Sequence, residues 1–172
     1  MKKILFVVGC LVALISTPAT ASWQIGGGPV FVTFDDDLSD VDTGVGVLFS
    51  GAFQQSDLFA FDFTVGGSIH DEDRANEQAF YSFILVGGKL TFGEGNTRPY
   101  VAVGISLNFI EFDEFQDIDG EGLYYGLGAE FLIKDKHSVN LSYRVNDWDG
   151  EDEEFDYDVD TGYLFAAYNF RF

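Results

Sequence analysis

One cysteine, three prolines and nine basic residues are all that 172 positions hold of those types. The lone Cys10 excludes an internal disulfide, and with two histidines it falls short of the usual zinc spacings. The nine bases face 29 acids, a net charge of −20, so no basic face is left for nucleic-acid phosphates. Past Ser22 no stretch keeps helical periodicity, and no apolar run approaches the ~20 residues of a membrane helix. What is plentiful is aromatic or small: 19 Phe, 8 Tyr, 2 Trp and 20 Gly, within 47% hydrophobic residues. That composition excludes disorder, because acidic disordered chains are poor in aromatics. The length suits a single domain.

The N-terminus reads as an address. Lys2 and Lys3 precede an apolar run from Ile4 to Ile15, and Ala19-Thr20-Ala21 supplies small residues for cleavage. These are the three parts of a secretory signal peptide, and the run is too short for a spanning helix. Val7-Val8-Gly9-Cys10 loosely resembles a lipoprotein box, but cutting there leaves only about six apolar residues upstream. Residues 1–21 are therefore expected to be removed after Ala21, leaving 22–172 as one barrel domain of 151 residues without cysteine.

The remainder alternates with period two. Phe59, Phe61, Phe63 and Val65 oppose Ala60, Asp62, Thr64 and Gly66; Val101, Val103, Ile105, Leu107 and Phe109 oppose Ala102, Gly104, Ser106 and Asn108. Leu123, Tyr125, Leu127 and Phe131 oppose Tyr124, Gly126, Gly128 and Glu130, and Val139, Leu141, Tyr143 and Val145 oppose Asn140, Ser142, Arg144 and Asn146. The pattern predicts strands near 23–34, 43–53, 58–69, 79–91, 99–110, 122–133, 138–146 and 160–172, mostly long enough to cross a bilayer at a tilt. The first strand, with Pro29 and three glycines, and the fourth, apolar on both faces, carry the weakest patterns.

Connections of two kinds take turns. Residues 54–57, 93–98 and 134–137 are short, whereas 35–42, 71–78, 111–121 and 147–159 are long, polar and hold 23 of the 29 acids. Most remaining bases, Lys89, Arg98, Lys134, Lys136 and Arg171, fall at the short-turn end. A soluble antiparallel sandwich would also alternate, but it packs large side chains inside. Here the large apolar face opposes a small polar one, as in a membrane barrel. The prediction is an all-β, eight-stranded antiparallel up-and-down transmembrane β-barrel, with turns and both termini periplasmic and four acidic loops extracellular.

Gly87-Gly88-Lys89-Leu90-Thr91-Phe92-Gly93 through Pro99-Tyr100-Val101-Ala102-Val103-Gly104 resembles the fourth and fifth strands of the OmpA/OmpX-like, opacity-type porin family. Leu141-Ser142-Tyr143-Arg144 looks like its penultimate strand. The end, with Tyr168, Phe170 and Phe172 at alternate positions, is similar to that family's assembly signal. The resemblance covers the whole mature chain as architecture and implies two partners, the outer-membrane lipids and the barrel assembly machinery. It implies no reaction.

Some barrels of this size act on lipid A, so a catalytic grouping here would have to face lipid. Ser68-Ile69-His70-Asp71 offers nucleophile, base and carboxylate, but parity turns Ser68 and His70 inward at the loop end, away from lipid. His137 sits in a turn at the opposite end. No catalytic residue and no cofactor follow. Asp117-Ile118-Asp119-Gly120 and Asp147-Trp148-Asp149-Gly150 mimic part of a calcium loop, yet the ligand positions before and after them fail. Weak, diffuse divalent binding at Asp117, Asp119, Asp147 and Asp149 competes with a plain solvated surface. Inside, Asp62, Glu130, Arg144 and, near the rim, Arg171 form a polar set, in which the turn after the sixth strand predicts a Glu130–Arg144 ion pair. The reading is a non-enzymatic barrel with a structural or adhesion-like surface role. A small channel, or a lipid A-modifying enzyme, is the alternative. Phe112, Phe115, Trp148, Phe155 and Tyr157 among the loop acids suit protein contacts.

Overall fold

A computed structural model describes residues 22–36, 38, 41–72, 77–93, 95–112, 117–151 and 155–172. Ala19, Ala21 and Phe115 lie outside these. Eight strands follow in order: β1 (Ser22–Asp36), β2 (Gly44–Gln54), β3 (Phe59–Glu72), β4 (Glu77–Thr91), β5 (Thr97–Phe112), β6 (Ile118–Lys134), β7 (His137–Glu151) and β8 (Asp156–Arg171). Each pairs antiparallel with the next, and β8 returns to β1 to close the barrel. Closure leaves no strand edge, the condition for backbone amides to be satisfied inside a bilayer. At the seam Trp23 N–H donates to Phe172 O at 3.1 Å, and Phe172 N–H donates to Trp23 O at 2.9 Å.

Alternation decides what faces where. Val47, Phe49, Ile69, Val103, Leu123, Leu127 and Leu164 stand outward and exposed, while Thr64, Ser106, Asn108 and Ser142 on the opposite parity are buried in the lumen. On a soluble protein such a continuous apolar belt would be an association surface. Around a closed barrel it is the face that lipid covers. Aromatic pairs gather at the turn end, Trp23 with Phe53 at 5.0 Å and Phe170 with Phe172 at 6.2 Å between ring centres.

The turns are tight. Gln55 and Ser56 both donate from N–H to Phe59 O at 3.1 Å, and Asp135-Lys136 alone reverse the chain between β6 and β7. Between β4 and β5, Gly93 and Gly95 take φ of 81° and 116°, a region that side chains with a Cβ rarely enter.

The two weak strands are both present. Pro29 faces outward in β1, and the β1–β8 ladder runs from Gln24 to Gly27 and resumes at Val30, so the missing proline N–H falls in the gap. In β4 the second apolar face belongs to the lumen, where Tyr81, Phe83 and Leu85 are buried.

The loop end departs from the expected boundaries. The described parts of the polar stretches 111–121 and 147–159 are mostly strand: β5 runs to Phe112, β6 begins at Ile118, β7 runs to Glu151 and β8 starts at Asp156. The alternation continues there with a changed outer face. Ile118, Trp148 and Val159 point into the barrel, while Asp119, Glu121, Asp147, Asp149, Glu151 and Asp158 point out. The barrel wall thus rises above its apolar belt on β6, β7 and β8, and its carboxylates make it look like loop in the sequence.

Candidate functional site: a filled lumen below an acidic rim

The lumen is occupied by side chains at three levels. In the middle, Arg144 of β7 reaches Asp62 of β3, with Nη2 2.6 Å from Oδ2, and both residues are buried. Tyr124 and Phe165 flank the guanidinium, its carbon 5.1 and 5.0 Å from their ring centres. An ion pair at this burial depends on such neighbours, because little water reaches it.

The expected Glu130–Arg144 pair is not formed. The β6–β7 register sets Glu130 opposite Asn140 and Arg144 opposite Gly126, which separates the two along the barrel. Glu130 belongs to the level nearer the turns, where Gln24 Nε2 donates to Oε1 at 2.6 Å and Ser138 Oγ at 2.8 Å. Gln24 also donates to Ser138 Oγ at 2.9 Å, closing a triangle, and Arg171 Nη2 lies 3.6 Å from Glu130 Oε1. Lys89 lies over the Tyr100 ring at 5.1 Å, and the Tyr100 hydroxyl donates to Asn140 Oδ1 at 2.7 Å. So Asp62, Glu130, Arg144 and Arg171 are all in or at the lumen, in two separate groups.

Toward the loop end lies a neutral network. The Tyr81 hydroxyl donates to Asn108 Oδ1 at 2.7 Å and meets the Tyr163 hydroxyl, while Asn146 Nδ2 donates to Asn108 Oδ1 at 3.0 Å and Ser106 Oγ donates to Asn146 Oδ1 at 2.6 Å. Trp148 Nε1 donates to Thr161 Oγ1 at 2.8 Å. Gly120 and Gly150 lie against the indole, with no room for a Cβ beside it, and Gly122 lies as tightly against Trp148 Cα and Cβ. Trp148 is thus a lumen residue and no surface aromatic; Phe112 and Tyr157 also pack against the core, whereas Phe155 is exposed. Of this network, the sequence shows Ser106, Asn108 and Asn146 as the polar parity of their strands, without the pairing, and gives no sign of Tyr81, Tyr163 or Thr161 as partners.

Ser68 and His70 do face inward. His70 Nδ1 lies 2.8 Å from the Asp42 carbonyl, so it donates there and Nε2 accepts from Ser68 Oγ at 2.7 Å. The orienting group is a backbone carbonyl, the pair is buried, and the Phe34 ring packs at a tilt against the imidazole, 4.8 Å between ring centres. His137 is at the other end of the barrel, where its Nδ1 meets the Tyr168 hydroxyl at 2.6 Å.

Asp119, Asp147 and Asp149 stand on strand rather than on a metal loop, and Asp117 just precedes β6. Register places Asp119 opposite Glu151 and Glu121 opposite Asp149. Among the described residues, no group of three or more His, Cys, Asp or Glu is placed to hold a metal ion. Asp119, Glu121, Asp149 and Glu151 instead border an open groove of about 650 Å³, with Leu107, Phe109 and Tyr157 as its apolar part.

A family model described as the outer membrane protein beta-barrel domain matches residues 6–170. Solved structures share the architecture at low identity. The neisserial surface protein A, NspA, superposes with a TM-score of 0.70 at 17% identity, over 87% of this chain and 97% of that one. The outer membrane protein OprG from Pseudomonas aeruginosa gives 0.69 at 12%, over 90% and 97%. Ail, the attachment invasion locus protein of Yersinia pestis, in complex with the heparin analogue sucrose octasulfate, gives 0.63 at 14%, over 88% and 99%. No curated protein matches the chain.

Proposed function

The chain belongs to the outer membrane protein β-barrel family and is integral to the bacterial outer membrane, and on that premise we propose that it works at its acidic loop end as a non-enzymatic surface-interaction protein. The proposal includes the orientation: loops outside the cell, turns and both termini in the periplasm. It also includes export by the segment ending at Ala21 and recognition of Tyr168, Phe170 and Phe172 by the barrel assembly machinery.

The observation that carries the reading is the contrast between the two polar regions. The lumen spends its charges on itself, with Arg144 on Asp62 and Glu130 on Gln24, Ser138 and Arg171. An eight-stranded barrel filled this way is a plug, which argues against a channel. The rim directs its charges outward, with Asp119, Glu121, Asp149 and Glu151 around one groove. Ail is solved with a sulfated polyanion; a polyanion would be repelled from this acidic groove, so the ligand class here is the opposite one. A cationic protein segment carrying an apolar residue for Phe109 and Tyr157 fits both parts. Divalent cations would screen the same carboxylates diffusely, with no dedicated cage.

Binding of labelled polylysine and of heparin to cells displaying the barrel tests this directly. Polylysine retention that falls when Asp119, Glu121, Asp149 and Glu151 are changed to their amides supports the reading. Heparin retention, or steady single-channel conductance in planar bilayers, overturns it.

A further inference from the structure

The lipid-facing belt is interrupted by a groove at the turn end, on β1, β2 and β8. Two cross-strand rows run through it. In the first, Phe170, Ile25, Gly51 and Phe63 stand opposite one another; in the second, Tyr168, Gly27 and Phe49 do. Every member of these rows carries a large outward side chain except the two glycines. A Cβ on Gly51 would meet only the Gln24 carbonyl, at 3.9 Å, so the space above its backbone is empty. The result is an apolar groove of about 550 Å³, walled by Ile25, Phe49, Phe63, Tyr168 and Phe170 and floored by backbone at Gly51.

One side of this groove is not apolar. The Tyr168 hydroxyl is bonded to His137 Nδ1, and the imidazole packs on Phe170 at 5.2 Å between ring centres. Lys136 Nζ lies 6.0 Å from the centre of the same Phe170 ring. When Nδ1 accepts from Tyr168, the imidazole has Nε2–H left to donate. Two walls of an acyl-wide slot are therefore continuous with an ammonium and an imidazole, on a chain of net charge −20. Lys134 and Asp135 share the turn, so its side chains sum to one positive charge before any contribution from His137.

We propose that this groove seats one acyl chain of an anionic glycerophospholipid, with the phosphate lying toward Lys136 and His137. A hydrocarbon chain is the occupant that a bilayer-facing apolar slot can recruit without leaving polar groups unpaired. The cation at its mouth selects charge: a lysine near an anionic surface is worth about 1 kcal/mol, or about fivefold in preference. The proposal is independent of the acidic-rim reading and of which end faces outward. It needs only that the belt lies in lipid.

Nanodiscs of equimolar phosphatidylglycerol and phosphatidylcholine, followed by native mass spectrometry of the released barrel, test it. The unaltered protein should retain one lipid, with phosphatidylglycerol ahead by about fivefold. Gly51→Phe fills the slot and should abolish retention of both lipids. Lys136→Gln should keep retention and equalise the two. Gly51→Leu serves in place of Gly51→Phe if the larger ring prevents a heat-modifiable, folded barrel. Undiminished retention in the folded Gly51 variant, or a phosphatidylglycerol preference unchanged by Lys136→Gln, overturns the proposal while leaving the surface reading intact.

Discussion

Arg144 and Asp62 meet across the full width of the lumen, 82 residues apart in sequence and 2.6 Å apart in space. Their strands, β7 and β3, are four places apart in a ring of eight, so they stand on opposite walls. The pair is a strut. Asp62→Ala or Arg144→Met should each cost about 3–5 kcal/mol, because each leaves a buried charge alone. The double variant should recover part of that loss in reversible urea unfolding. A cycle on Glu130 and Arg144 should be near additive, since those side chains belong to different groups.

The Glu130 triangle makes a second, smaller prediction. Glu130→Ala removes the acceptor for both Gln24 and Ser138, two charge-assisted bonds worth about 1.5–3 kcal/mol each before relaxation. Glu130→Gln keeps an acceptor oxygen and should lose less. Arg171→Ala added to Glu130→Ala should cost little more, which urea midpoints at constant slope will show.

At the rim, Trp148 holds the tall part of the wall together. Trp148→Ala should destabilise by about 3–5 kcal/mol, the usual range for a buried indole. It should also fray the ends of β6 and β7 first. Limited proteolysis with mapped cut sites measures this, and new cleavage should fall between Ile118 and Leu123 or between Asp147 and Glu151 while the belt stays intact.

Phe172 separates assembly from stability. Its ring is 59% exposed and touches Phe170, while its hydrogen bonds to Trp23 are backbone ones. Phe172→Ala should therefore leave the unfolding midpoint nearly unchanged. If the terminal aromatic is read during assembly, the same variant should slow the appearance of the heat-modifiable folded band in cells. Mass analysis of the same outer-membrane preparation should find the chain beginning at Ser22.

The strands were legible because their outer faces speak in one register: Val101, Val103, Ile105 and Leu107 repeat with a period of two, and the small residues opposite them turn that large face to lipid. The same rule failed at Asp147 to Glu151 because the outer face changes solvent there while the backbone does not change course. The apolar half of the pattern, Ile118, Trp148 and Val159, points inside and is too sparse to announce a strand by itself. For the lumen, parity told which residues turn inward, including Asp62, Glu130, Arg144 and Ser68. It could not tell which of them meet. Across a narrow barrel a long side chain finds its partner on the far wall, and that distance depends on strand tilt and stagger, which no neighbouring residue encodes.

The extension of the wall past its apolar belt has a consequence for recognition. Asp119, Glu121, Asp149 and Glu151 are carried on paired strands, with backbone already fixed by the ladder between β6 and β7. Carboxylates on a flexible loop would have to be immobilised by each partner, at about 1–2 kcal/mol per residue of lost backbone freedom. Here that ordering is complete before contact. Association at this rim should accordingly show a smaller entropic opposition, and a smaller gain in amide protection on binding, than an equally acidic loop of the same length.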